Sequence, residues 1–286
     1  MTAAGVAVAA SGSGAGEQSA APRCVPPRAG AVTVTVRSGG MTRSALVRVP
    51  AGARSPAPLL LAFHGAGGNG PFMEGYSGLS GPATRRGMLV AYPTADPARR
   101  RWTLAGDPAG AADDVAFVAA LLGALERRFC ADPEHVYATG VSNGGGFAAH
   151  LACRLPGRLA AIAPVAGAYR VEACPGAGPL SVLEIHGTSD DSAPYAGRPP
   201  VVEGVREWVE GWAARDGCGD AAERRRIARR ATLFDWLGCA TGAAVAQIVI
   251  TDGEHAWPGA MPPDPGPQAT ISAATQVVGF LAERRR

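Results

Sequence analysis

The stretch that decides the fold runs Val136-Tyr137-Ala138-Thr139-Gly140-Val141-Ser142-Asn143-Gly144-Gly145-Gly146. An apolar strand, Val136 to Thr139, leads into Gly-x-Ser-x-Gly, and a helical pattern from Gly145 to Arg154 follows. The pentapeptide alone is common in proteins. Strand, sharp turn and helix in succession are what raise a serine oxygen above the edge of a sheet. Glycines two residues either side of the serine remove side chains that would collide in so tight a turn. The free N–H groups of the helix's first turn favour negative charge developing beside the serine. Ser142 is therefore the candidate nucleophile; the competing reading is a Gly-rich turn whose serine only caps the helix.

Outward from this turn the same kinds of element recur. Pro58 to Phe63, Met88 to Tyr92, Leu159 to Val165, Leu180 to Ile185 and Val245 to Ile250 are short apolar runs. Such runs suit strands covered on both faces, as in a parallel sheet. Helical patterns alternate with them. Asp113-Asp114 precedes Val115, Phe117, Val118, Leu121, Leu122 and Leu125 on one helical face, and Val201 to Ala214 and Ile271 to Arg284 read as further helices. Acidic residues at a helix start cap its free N–H groups and oppose its dipole. Ala31 to Arg37 and Ser44 to Val49 alternate about Ser38-Gly39-Gly40, which predicts an antiparallel hairpin. The fold class is α/β: a mostly parallel, doubly wound sheet flanked by helices, with an N-terminal antiparallel hairpin. Residues 29–286 are expected to form a single catalytic domain. Residues 1–28 read as a disordered leader or signal remnant, Ala-, Gly- and Ser-rich and lacking a basic residue before Arg23.

Composition narrows the function classes. The 286 residues are 47% hydrophobic, and no stretch approaches the roughly 20 apolar residues that span a membrane. The net charge is only +3, and every basic residue is Arg. The clusters Arg99 to Arg101, Arg224 to Arg226 and Arg284 to Arg286 come with no nucleic-acid-reading motif, so they read as solvated surface and no nucleic-acid partner is expected. Six cysteines without CxxC spacing fit three disulfides in an oxidising, extracellular compartment better than a metal site. Cys218 with Cys239 is the first pairing, because a polar, Arg-rich excursion lies between them. No metal and no cofactor is expected, and the partner is a substrate bound by a monomer.

The acid and base follow from chain order. In such sheets the acid separates the nucleophile from the histidine. Of five histidines, His64 and His135 precede Ser142, and His150 lies on the helix behind it. His186 comes before any acid on its own loop. His255, a few residues after the run Val245 to Ile250, remains. Asp190 in His186-Gly187-Thr188-Ser189-Asp190 follows a strand's C-terminal end, where open α/β sheets place their sites. Asp191 is its neighbour; Asp216, Asp220, Asp235 and Asp252 qualify by order alone. His64-Gly65-Ala66-Gly67-Gly68 follows the strand Pro58 to Phe63 and is the candidate oxyanion loop. The donors would be the amides of Ala66 or Gly67 and of Asn143. Trp102 and Trp257, with Trp212 and Trp236, are candidates for an aromatic substrate platform, against the alternative of core packing.

Together, His64-Gly65-Ala66-Gly67-Gly68, Asp113-Asp114-Val115-Ala116-Phe117, Asp132-Pro133-Glu134-His135-Val136-Tyr137, Gly140 to Phe147, Ala163 to Gly167, His186 to Asp190 and His255-Ala256-Trp257-Pro258-Gly259 cover roughly residues 30 to 283 in order. They resemble the bacterial polyhydroxybutyrate depolymerase and feruloyl esterase-like proteins, related to carbohydrate esterase family 1. The resemblance implies a secreted, metal-independent serine esterase of the α/β-hydrolase fold with Ser142, Asp190 and His255 as its triad. It implies substrates such as hydroxyalkanoate, feruloyl or acetyl esters, carried on polysaccharide or polyester oligomers. It also favours Cys218 with Cys239, then Cys130 with Cys153 and Cys24 with Cys174. One departure is Glu254, where members of the group often have Gly before the histidine. An acyltransferase using the same triad, or a catalytically silent binding protein on the same scaffold, are the alternative functions.

Overall fold

The computed structural model describes residues 24, 27–107, 113–171, 174, 176–240, 242–261 and 271–286. The expected leader lies outside these, apart from Cys24, Pro27 and Arg28. In chain order the strands are β1 (Gly30–Ser38), β2 (Met41–Val49), β3 (Ala57–Phe63), β4 (Leu89–Pro93), β5 (Ala131–Val141), β6 (Ala161–Val165), β7 (Ser181–Gly187), β8 (Ala222–Arg226), β9 (Ala231–Trp236) and β10 (Val245–Ile250). The helices are α1 (Gly70–Ser77), α2 (Ser80–Arg85), α3 (Asp114–Phe129), α4 (Asn143–Arg154), α5 (Val205–Arg215) and α6 (Ala273–Leu281).

The strands form one sheet in the order β1-β2-β4-β3-β5-β6-β7-β10-β9-β8. The six from β4 to β10 in that order run parallel, and an antiparallel pair flanks each side. This is the doubly wound α/β sheet with its N-terminal hairpin. The apolar runs are unbroken because each strand serves two cores. Leu59, Leu61 and Phe63 of β3 pack with Phe117 and Leu121 of α3, Phe147 of α4 and Val209 of α5. Leu60 and Ala62 between them face the opposite core, with Met73, Ala83 and Val277 of α1, α2 and α6. Successive side chains on a strand point to opposite faces, so both sets must be apolar.

Three features depart from the sequence reading. First, α1 and α2 were not anticipated, because they are short and carry no apolar stripe; α1 starts at a side-chain cap, Asn69 accepting the Phe72 N–H at 2.8 Å. Second, the Arg-rich excursion between Cys218 and Cys239 is a β-hairpin. Its outer strand β8 carries exposed Arg224, Arg225 and Arg226, and charges on an edge strand oppose pairing with another chain. Third, the disulfides are Cys24–Cys130, Cys153–Cys174 and Cys218–Cys239. The pairing of Cys218 with Cys239 stands; Cys130 with Cys153 and Cys24 with Cys174 are corrected. The reason is spatial. Cys130 caps α3 beside the start of β3, where Ala57 N–H donates to Cys130 O at 2.8 Å. Cys24 passes the same place, its carbonyl accepting from Ser55 Oγ at 2.8 Å. Cys153 ends α4, where Cys174 meets it, its carbonyl held by Arg215 at 3.0 Å.

Candidate active site

The sheet brings three predicted residues to one edge. Ser142 follows β5, Asp190 follows β7 and His255 follows β10, all at the C-terminal ends of parallel strands. β7 and β10 are adjacent, which lets the last two loops meet.

Ser142 sits in the turn between β5 and α4 with φ 58° and ψ −124°. A non-glycine residue held there stores strain, which the surrounding structure must enforce. The enforcement is visible. Ser142 N–H donates to Val165 O of β6 at 3.0 Å. A Cβ added at Gly140 would lie 2.4 Å from Gly144 O, and one at Gly144 would lie 2.3 Å from Phe63 O. No side chain fits at either position, so the two glycines of the motif set how deep the turn sits against β3.

Asp190 is 3% exposed, and its carboxylate accepts four N–H groups. Oδ1 takes the backbone amides of Ser192 at 2.9 Å and Ala193 at 2.7 Å. Oδ2 takes His255 Nδ1 at 2.7 Å and His186 Nε2 at 3.2 Å. Burial alone raises the carboxyl's pKa; the bonds from His186 and His255 outweigh it and hold the group below the usual carboxylate range. The other acids are elsewhere. Asp191 is exposed. Asp252 pairs with Arg230 at 3.0 Å. Asp216 caps the C-terminus of α5 and faces the Leu180 N–H, at the start of β7 rather than its end. Asp235 lies within β9. Glu254 is exposed.

The oxyanion loop follows β3. Gly67 N–H donates to Arg100 O at 2.7 Å, so this amide is already engaged and Gly67 is corrected as a donor. Ala66 is left as the loop's candidate. Asn143 is the first residue of α4, where an N–H has no intrahelical acceptor. Its side chain is occupied otherwise: Oδ1 accepts Trp102 N–H at 2.7 Å and Nδ2 donates to Trp102 O at 3.0 Å. His64 is buried, with Nδ1 on Gly65 O at 2.7 Å and Nε2 accepting Ala95 N–H at 3.1 Å. Burial lowers its pKa, which suits a neutral ring tying two loops together. The cluster Arg99 to Arg101 lies at the surface as expected, with Arg100 exposed and the Arg101 side chain 42% exposed, and it also makes local contacts. Arg100 brackets Gly67 from both sides, its guanidinium donating to Gly67 O, and Arg99 and Arg101 are half-buried near Asp107.

Trp102 and Trp257 do not form a substrate platform. Both are 0% exposed. Trp102 stacks on Phe147 at 4.8 Å and donates its ring N–H to His64 O at 3.0 Å. Trp257 donates its ring N–H to Ser77 O at 3.0 Å. Trp236 is likewise buried. Trp212, with Trp208, walls a cavity of about 290 Å³ that is bounded by Gly146 and His150 of α4. Among the described residues no group of three or more His, Cys, Asp or Glu side chains is arranged to hold a metal ion.

Sequence reasoning missed the polar chain behind Asp190, from His186 to Glu184, and the buried pair Arg43–Asp114 at 2.6 Å. Glu184 within an otherwise apolar strand was the available signal for the first.

Residues 43–198 match the family of esterases described as Esterase PHB depolymerase, a span of over half the chain that contains Ser142 and Asp190. The chain belongs to this esterase family. It is 32% identical to a putative esterase, NocK, of Nocardia uniformis subsp. tsuyamanensis over 79% of this chain and 75% of that protein. It is 28% identical to feruloyl esterase B of Piromyces equi, over 75% of this chain and 42% of that protein. To a bifunctional acetylxylan esterase/xylanase of Neocallimastix patriciarum it is 24% identical over 77% of this chain and 32% of that protein. The chain thus spans less than half the length of these last two. An acetyl xylan esterase structure from Aspergillus awamori superposes with a TM-score of 0.62 at 18% identity, covering 79% of this chain and 94% of that one. At that identity the likeness shows the fold, which is that of the α/β-hydrolases. This esterase is a carboxylic-ester hydrolase.

Proposed function

We propose that the protein is a secreted serine esterase that cleaves feruloyl or acetyl esters, of the kind carried on plant polysaccharide, through an acyl-enzyme on Ser142. One observation carries the mechanism: a buried carboxylate, Asp190, bound to His255 Nδ1 at 2.7 Å on the strand edge where Ser142 sits in a strained turn. With Nδ1 held by Asp190, His255 Nε2 takes the Ser142 proton as Oγ attacks the acyl carbon. The oxyanion is held by the amides of Asn143 and Ala66. Collapse breaks the ester C–O bond, and His255 returns the proton to the leaving alcohol. Water repeats the sequence and releases the acid and free Ser142. Residues 29–286 act as one catalytic domain and as a monomer.

The acyl preference rests on the relatives named for feruloyl and acetylxylan ester hydrolysis. The family description favours hydroxyalkanoate oligomers as a second reading. Secretion rests on three disulfides, which persist in oxidising compartments. The test is hydrolysis of methyl ferulate, acetylated xylan and hydroxybutyrate oligomers by the wild type and by Ser142→Ala. The proposal expects methyl ferulate or acetylated xylan to be turned over with the higher kcat/KM, and the variant to lose several orders of magnitude. Turnover confined to hydroxybutyrate oligomers would overturn the substrate reading, and an unchanged variant would overturn the mechanism.

A further inference from the structure

Behind the Asp190–His255 pair lies a chain of buried polar groups that hydrolysis as described does not use. His186 of β7 has both ring nitrogens facing acceptors. Nδ1 lies 2.8 Å from Glu184 Oε1, and Nε2 lies 2.8 Å from Ala193 O and 3.2 Å from Asp190 Oδ2. All three side chains, Glu184, His186 and Asp190, are fully buried. A neutral imidazole has one N–H and one lone pair, so it would set a lone pair against a carboxylate or a carbonyl oxygen on one side. Both oxygens of each carboxyl group already accept from other donors. Asp190 already accepts from two backbone amides and His255. Glu184 accepts from Tyr169 OH at 3.0 Å and from Gln247 Nε2 at 3.1 Å, while Gln247 Oε1 accepts from Tyr195 OH at 3.2 Å. The donor and acceptor count closes when Glu184 and Asp190 are both carboxylates and His186 carries two protons.

We propose that His186 is a permanently charged imidazolium bridging Glu184 and Asp190, and that it is a positioning residue which sets the basicity of His255 through Asp190. The ionisable groups around it are Glu184 on its own strand, Asp190 and Tyr195 on the loop after β7, Tyr169 after β6 and His255 after β10; β10 also contributes the uncharged Gln247. Before the reaction the cluster holds two carboxylates and one cation; when His255 takes the Ser142 proton the charges balance. Had His186 been neutral, the Asp190 carboxylate that holds His255 would have no cation behind it, and the Glu184 charge beyond it would be uncancelled. The ring's own environment agrees. Burial lowers its pKa, but the Glu184 charge and the bonds to Asp190, Glu184 and Ala193 O outweigh that and push it up to about 10.

The inference rests on His255 and Asp190 being the base and its acid, and its test separates the two. The first measurement is ¹⁵N NMR of the imidazole rings in the wild-type protein, with His186 assigned by comparison with single histidine variants. The proposal expects both His186 nitrogens to carry protons from pH 5 to pH 9, with no titration in that range. A neutral ring at pH 7 would overturn it, whatever the enzyme's activity. The second is the pH dependence of kcat/KM in His186→Gln. Removing the cation takes away the positive charge 3.2 Å from Asp190 Oδ2, the oxygen that holds His255, so the acidic limb should move up by about one pH unit. A limb that stays in place while kcat falls would reduce His186 to a packing role and overturn the inference. If His255→Ala hydrolyses esters normally, the triad reading fails instead, and the NMR result stands by itself.

Discussion

Replacing Asp190 by Asn removes one charge and almost no volume, and the surrounding bonds determine the outcome. All four partners of this carboxylate are N–H donors: Ser192 and Ala193 on Oδ1, His255 and His186 on Oδ2. An asparagine offers one acceptor oxygen and one NH₂ group. Keeping the two backbone bonds, at 2.9 and 2.7 Å, turns the NH₂ toward His255. Donor then meets donor, unless His255 shifts its proton from Nδ1 to Nε2. That relieves the clash and disables the base, because Nε2 must be bare to accept from Ser142. A wrong tautomer of this kind costs about 10⁴ in kcat, on the order of 5 kcal/mol of transition-state stabilisation. The assay is steady-state hydrolysis of p-nitrophenyl butyrate by purified Asp190→Asn, with circular dichroism to establish folding. KM should change little, since no substrate contact is lost. A folded variant with kcat within about tenfold of wild type would refute the tautomer argument and Asp190's assignment with it.

The remaining predictions concern the turn, the cross-links and pH. Gly144→Ala would drive a methyl group to 2.3 Å from Phe63 O, costing about 3 kcal/mol or more and roughly 10 °C in Tm by calorimetry; an unchanged Tm would contradict the close approach. A non-reducing peptide map should show Cys24–Cys130, Cys153–Cys174 and Cys218–Cys239. Opening the first, which spans 106 residues, should cost about 5 kcal/mol, and each of the others about 3; a Cys130–Cys153 peptide would refute the arrangement. His186, with its pKa pushed up to about 10, stabilises the fold fully below its unfolded pKa of about 6.5, and that contribution is lost as pH rises through about 10. Urea unfolding should therefore show stability falling over this window in wild type and falling less in His186→Gln; parallel curves would contradict the charged pair.

Much of this molecule is written in local patterns, and the rest is not, for identifiable reasons. The parallel strands were legible because both faces are buried, so Leu59 to Phe63 must be apolar at every position. The Ser142 turn was legible because its glycines are imposed by backbone contacts within a few residues of sequence and with β3. His255 emerged by elimination, which needed only the order of elements. Asp190 and Asp191 could be ranked but not separated by physics until burial distinguished them, one 3% exposed and the other open to solvent. Disulfide pairing was not legible beyond Cys218–Cys239, since it depends on where distant segments cross rather than on spacing. The tryptophans were left between a substrate platform and core packing for a related reason. An indole that packs under the oxyanion loop and one that greets a ring-bearing substrate look alike in sequence, and only the complete burial of Trp102 and Trp257 tells them apart. The hairpin β8–β9 escaped because an edge strand rich in Arg has no alternating apolar face to announce it.

The central claim is that Ser142 becomes acylated. The most direct measurement is covalent labelling with a p-nitrophenyl alkylphosphonate, which mimics the acyl group and stops at the phosphonyl-enzyme, followed by peptide mass spectrometry. One phosphonyl group per molecule should be found on Ser142, with ester hydrolysis lost in proportion to labelling, and Ser142→Ala should take up none. Label on another residue, or full labelling of Ser142 with hydrolysis intact, would contradict the account.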